Sequence, residues 1–442
     1  MAGQQDTGQQ DTGQQDTGQH STRSRIAHLY RRAGFGARPE EIDAGVARGY
    51  RATVDHLLDV TTPDPGVATL ADPTFTDVWA DFMTVRRHRR SEASQMMLWW
   101  LNRMIGATNP LPEKLTLFWH GHFATSLQKV RAPELMFRQN QLFRSMGAGR
   151  FEPLAQAVAK DAAMMVWLDS NSNQRESPNE NFAREFFELF TLGEGNYAEA
   201  DVKAAARAFT GWRVSPRTQN FAFAPRLHDG DAKLLFGEAG SFGGEDIVRL
   251  VTSRPECARF ITARVWSHFA RPVTPDDPIV TELSDAFTPE LDVRALLRAI
   301  FLHPEFDSPA TRTGLVKQPI EYVAGTLRAL GRKAEGIDLL RALRQLGQEP
   351  FLPPSVGGWP ANGYWISTAS SLARMQFAEA QARDADLTPV SSLSPRARPA
   401  AVAHLLSVDG WGPTTTSALQ QVAAEPRSLL TLALVAPEYV LA

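Results

Sequence analysis

Apolar residues recur along this 442-residue chain at intervals of three and four, and proline or glycine, rather than alternating strands, separates the segments that carry this period. Ile26, Leu29 and Tyr30 begin a short helix that Gly34 ends, Pro39 opens the next, and 53–59 completes an opening group. Between 76 and 106, Val78, Phe82, Val85, Met96, Leu98 to Leu101 and Ile105 predict two helices meeting near Ser91. Pro112, Pro133 and Pro153 each mark a helix start, because the first turn has no use for the missing N–H. Helices are predicted again over 245–252, 256–269, 278–287, 293–301, 316–330, 336–346 and 368–383. The strand-like passage is 219–236: Phe221 and Phe223 alternate, His228 to Asp231 reads as a turn, and Leu234 to Phe236 returns. The pattern predicts a mainly α, multi-helical globular body with a small β-hairpin-like excursion near 219–236. Without strand–helix alternation, a doubly wound sheet is excluded.

Residues 4–18 are three copies of Gln-Gln-Asp-Thr-Gly, which offer nothing to bury, so 1–23 is expected to be a disordered tail. Residues 24–383 are expected to form one large helical domain, with 24–215 and 245–383 as its potential lobes. A polar linker at 384–397 and short C-terminal helices over 398–442 follow. The balance of 46 basic against 49 acidic residues argues against a nucleic-acid partner. The run Arg86-Arg87-His88-Arg89-Arg90 is short and reads as a solvated helix face. A single cysteine, Cys257, rules out intramolecular disulfides and reads as a buried thiol. No run of 18 apolar residues predicts a membrane span, and the N-terminus shows no basic region followed by an apolar core. The expected location is the cytoplasm.

The densest chemistry lies at 177–193. Ser177 at the N-cap, Pro178 in the first turn and Glu180 three residues on predict a capping box, with Gly193 as the terminator. At 100° per residue, Asn181, Arg184, Glu185 and Glu188 fall in one stripe, opposite Phe182, Ala183, Phe186, Leu189 and Phe190. A ladder of i,i+4 ion pairs, Glu180 with Arg184 and Arg184 with Glu188, explains this stripe as well as a site does. Glu180 is assigned to the cap.

Two further groups could join it. His120 and His122 lie about 200° apart on a regular helix and cannot share an ion there, but Gly121 permits a break. His122 shares a face with Leu115, Phe118 and Trp119, as either a satisfied core histidine or a ligand or base. His228 and Asp229 flank a turn on the excursion. This inventory suits Zn, Fe or Mn held by imidazole and carboxylate. His-Glu-x-x-His, a phosphate loop and Gly-x-Ser-x-Gly are all absent. Trp359 and Trp365 sit among Gly and Pro, where they pin a loop over the core or stack on a ligand.

Several stretches resemble the bacterial family of unknown function called DUF1800: 27–36 (AHLYRRAGFG), 117–126 (LFWHGHFATS), 178–185 (PNENFARE), 188–193 (ELFTLG), 205–212 (AARAFTGW), His228-Asp229 with Lys233, and 354–365. The resemblance implies a mostly helical fold and a signature that includes His120, His122, Glu180, Arg184, Glu185, His228 and Asp229. Family members are often exported and often encoded beside a sulfatase-like companion; the absence of a visible export signal departs from the first habit. The resulting expectation is an enzyme of unassigned reaction, hydrolase or oxidoreductase, acting on an unidentified small molecule or protein. Arg184, Glu185, Glu188, His228 and Asp229 would be its catalytic groups. In the metal-dependent version, His120, His122, Glu185 and Glu188 hold the ion. Two alternatives stand beside it: a non-catalytic helical partner or assembly protein for the sulfatase-like companion, and a buried structural network.

Overall fold

The computed structural model describes residues 20–76 and 82–441, with the side chains of 82–87 left aside. The repeat at 4–18, Val78 and the side chains of Phe82, Val85, Arg86 and Arg87 therefore lie outside what is described. The described chain is mainly helical, with two separate two-stranded antiparallel sheets. The first helix, Thr22–Ala33, starts slightly earlier than expected because Ser21 caps it, its side chain accepting from the Ser24 amide at 3.2 Å. Proline starts are realised at Pro39–Arg48, Leu111–His122, Pro133–Met146 and Phe151–Ala159. Instead of two helices meeting at Ser91, one helix, Phe82–Gly106, runs through it; an exposed serine costs a helix interior only a fraction of a kcal/mol.

The excursion is present, but its strands pair differently. Phe221–Phe223 pairs back onto Trp212–Val214, and Lys233–Leu235 pairs forward onto Glu238–Gly240. Each strand thus takes its nearest neighbour in the chain, whereas the expected pairing of 221–223 with 234–236 does not form.

Two hydrophobic cores organise the molecule. One joins side chains from Ile26 to Leu58, Leu111 to Leu168 and Phe182 to Phe306. The other joins the later turns of Phe82–Gly106, from Met96 to Ile105, to residues from Ile320 to Tyr439, and takes in Phe35, Leu117, Val130, Leu135, Met136 and Ala163. The expected lobes at 24–215 and 245–383 do not match this division, because helix Phe82–Gly106 packs with the C-terminal half. Nor is 384–397 a plain linker: it carries the helical turn Thr388–Ser391, with Val390 buried. Beyond it, Leu429, Leu430, Ala433 and Leu434 are fully buried on one face of Pro426–Val435, which packs on Thr368–Asp384. Cys257 is buried, and burial raises its thiol pKa. No described helix is long and apolar enough to cross a membrane.

Candidate functional site

A cavity of about 270 Å³ lies on the seam between the two cores. Two helices supply its walls with the same spacing. From Leu111–His122 come Lys114, Leu117, Phe118, Gly121 and His122; from Pro255–Phe269 come Phe260, Ala263, Arg264, Ser267 and His268. Both sets run i, i+3, i+4, i+7, i+8, the positions that share one face of an α-helix. Arg31 and Arg32 of the first helix, Gln318 and Glu321 of the 318–329 region, and Trp359, Asn362 and Trp365 of the 354–366 loop close it. A second chamber of about 200 Å³ shares His122, Phe260 and Arg264 and adds Glu188, Leu189, Gly193 and Glu194. His122 and Arg264 therefore stand where the two chambers meet.

The loop reaches the helix through a close contact of two glycines. Gly358 has φ +83°, and a Cβ there would stand 2.2 Å from the Gly121 carbonyl oxygen. Gly121 does not break its helix, contrary to expectation, so the two histidines point to different sides. His120 sits among Trp100, Phe351 and Trp359, and its Nε2 accepts from the Phe351 amide at 3.1 Å. Burial lowers its pKa to about 3. His122 Nε2 donates to the Phe190 carbonyl at 2.9 Å, which leaves Nδ1 as a bare acceptor with no partner among the described residues. Burial first, and then the Arg264 charge, lower its pKa to about 3. His268 is lowered to about 3 as well, by burial and then by Lys114. The Phe118 ring stands between the two imidazoles, 5.8 Å from His122 and 5.1 Å from His268.

Beside His268, Lys114 is ion-paired to Glu321, and both are buried deep in the wall. Burial pushes the Glu321 carboxyl up, but Lys114, His268 and the hydrogen bonds it accepts outweigh this and hold it below the usual range. Arg32, 1% exposed, donates Nη2 to the Thr311 carbonyl, while its Nε and Nη1 have no partner among the described residues. Burial and then Arg31 lower its pKa to about 9. Arg264 is exposed to the chambers and has no carboxylate partner among the described residues.

The expected polar stripe divides. The α-helix begins at Asn181, not Pro178, because Ser177 is turned back against Gln174; Glu180 occupies the N-cap position without a side-chain cap. The capping box is thus absent, and Glu180 is instead ion-paired to Arg184 at 2.9 Å. After Glu185 the chain widens into a π-helix, Phe186–Thr191, so the 100° rule no longer holds. Arg184 forks onto Glu199 at 2.8 and 2.9 Å rather than onto Glu188, and Glu188 accepts from the Tyr197 hydroxyl at 2.7 Å. Glu185 is half-buried outside both chambers, and burial followed by the Glu188 charge raises its pKa. Gly193 ends the segment with φ +78°, as expected.

His228 and Asp229 lie apart from the chambers. His228 Nδ1 donates to the Thr210 carbonyl at 2.9 Å, and Asp229 takes both ends of Arg207, at 2.6 and 3.2 Å. The hydrogen bond from Arg207 lowers the Asp229 pKa. Of the residues expected in a site, then, His122 and Glu188 meet at one chamber, His120 packs in the wall behind, and Arg184, Glu185, His228 and Asp229 stand elsewhere. Among the described residues, no three His, Cys, Asp or Glu side chains come together in a way that could hold a metal ion, so His120, His122, Glu185 and Glu188 are not gathered as a Zn, Fe or Mn site. The reading of the sequence missed Arg264 and Lys114. The signal lay in the matching stripes Lys114-Phe118-His122 and Phe260-Arg264-His268, which place cations and imidazoles on otherwise apolar helix faces.

No curated protein and no solved structure matches this chain. The family model described as a protein of unknown function, DUF1800, matches residues 28–441, nearly the whole length, and the chain belongs to that family.

Proposed function

We propose that the chain is an enzyme whose reaction takes place where the two chambers meet, with Glu188 as the proton acceptor. His122 would shape the wall beside the substrate, and Arg264 would hold its negative charge. The observation that carries this reading is that His122, Glu188 and Arg264, from three different elements, line one concave surface. Glu188 is oriented by Tyr197, a carboxylate held in place by a donor, as a general base requires. Hydrolysis is an acid–base reaction whose only second reactant is water, and it is the first to test. A panel of chromogenic carboxylate, phosphate and sulfate esters would be assayed with the wild type, Glu188→Gln, Arg264→Met and the distant surface variant Arg341→Met. Turnover is expected to fall roughly 100-fold or more in Glu188→Gln, to fall in Arg264→Met, and to stay unchanged in Arg341→Met. Turnover that survives Glu188→Gln refutes the assignment.

A second reading, a helical partner for a sulfatase-like companion, draws support from a different place. Tyr364, Ile366 and Leu372 are 80%, 56% and 59% exposed within one short stretch beside the cavity mouth. On that reading, Tyr364→Ser with Leu372→Ser abolishes co-purification with the companion, whereas Glu188→Gln does not.

A further inference from the structure

We propose that the larger chamber recognises a compact organic dianion with an apolar body. The charges of its wall point there. Arg31, Arg32, Lys114 and Arg264 line it against a single carboxylate, Glu321. Lys114 and Glu321 neutralise each other, and Arg31 is answered by Asp409 at 3.5 Å. Two guanidiniums, Arg32 and Arg264, remain without a carboxylate among the described residues. A buried cation without a counter-ion is costly, and Arg32 is one, with two nitrogens unsatisfied. An anion in the chamber would supply the missing counter-charge. Neither imidazole adds to the positive charge, because both His122 and His268 are neutral at ordinary pH.

The remaining wall is aromatic: Phe118, Phe260, Trp359 and Trp365 present ring surface to the same space. Such a lining suits an apolar body attached to the charged head. The 270 Å³ of the chamber lies near the small end of ligand sites. A single-ring phosphate monoester or an aromatic dicarboxylate has this size and charge.

This inference builds on the reading of the cleft as an enzyme's site, but binding requires no turnover, so the two can fail separately. Calorimetry and thermal melting of the full chain would compare phenyl phosphate, phthalate, inorganic phosphate and phenol. Phenyl phosphate or phthalate is expected to bind and raise the melting temperature, inorganic phosphate to bind more weakly, and phenol not to bind. Whichever of the first two binds more tightly identifies the head as phosphate or dicarboxylate. Arg264→Met should weaken binding about tenfold or more, as loss of a charged hydrogen bond does. Arg264→Lys should retain most of it. Ala361→Asp, an exposed wall position that perturbs no core, should weaken binding by repulsion. Arg341→Met, a surface variant remote from both chambers, should bind as the wild type does. The proposal is overturned by equal affinity for phenol and phenyl phosphate, by equal affinity in wild type, Arg264→Met and Ala361→Asp, or by no binding of either dianion at millimolar concentration.

Discussion

Three histidines in and behind the cavity wall show how burial sets the chemistry of single residues. His120 is 2% exposed, and burial lowers its pKa from 6.5 to about 3. Between these values the unfolded chain binds a proton that the folded chain does not. The stabilisation is therefore complete above about pH 6.5 and is lost as pH falls towards 3, by up to about 1.4 kcal/mol per pH unit for each such histidine. Urea unfolding at pH 7.5 and pH 5 should show a smaller loss in His120→Asn than in the wild type; equal losses would count against a neutral His120. On the same side of the helix as His120, and sharing Trp100 with it, Glu113 is buried and takes Arg103 at 2.7 Å, Arg144 at 2.8 Å and the Trp100 indole at 3.0 Å. Glu113→Ala strands these cations and should cost about 3–5 kcal/mol in denaturant unfolding, with helix content retained in the native baseline. Of these residues, the inward face of His122 was legible in the sequence, because its neighbours at i−3 and i−4 are aromatic. Arg264 was not. One arginine on an amphipathic helix reads as solvated until the helix opposite is known.

At the scale of elements, the prolines made helix starts legible, because their effect is local. Strand pairing and the polar stripe depended on geometry that spacing does not reveal. The π-helix Phe186–Thr191 widens the turn at Glu185 and removes Glu188 from the reach of Arg184, so the helical wheel placed these groups together when the chain does not. The same segment contains Phe190, whose carbonyl is taken by His122 and ties the π-helix to Leu111–His122. The 354–366 loop depends on Gly358 in a comparable way. Gly358→Ala meets both a positive φ and the Gly121 carbonyl, and it should destabilise the fold by about 1–3 kcal/mol. It should also shift tryptophan fluorescence as Trp359 lifts from His120. An unchanged spectrum and melting temperature would show that the loop does not rest on the helix as described.

At the scale of the whole molecule, the helical class was legible and the division into cores was not. Helix Phe82–Gly106 and the C-terminal helices join across more than two hundred residues of sequence, and no local pattern announces that. The cavity exists because Leu111–His122, which feeds both cores, and Pro255–Phe269 of the first face the 318–329 region and the 354–366 loop. A concave space at such a seam is a common place for ligands. Everything claimed for function rests on that seam. The most direct measurement is a crystal structure of the protein soaked with phenyl phosphate. Electron density for the ligand beside Arg264, with its ring against Phe260 or Trp359, is the predicted result. Density only at Arg184, Arg207 or another surface cation, with the chamber unfilled, would contradict the account.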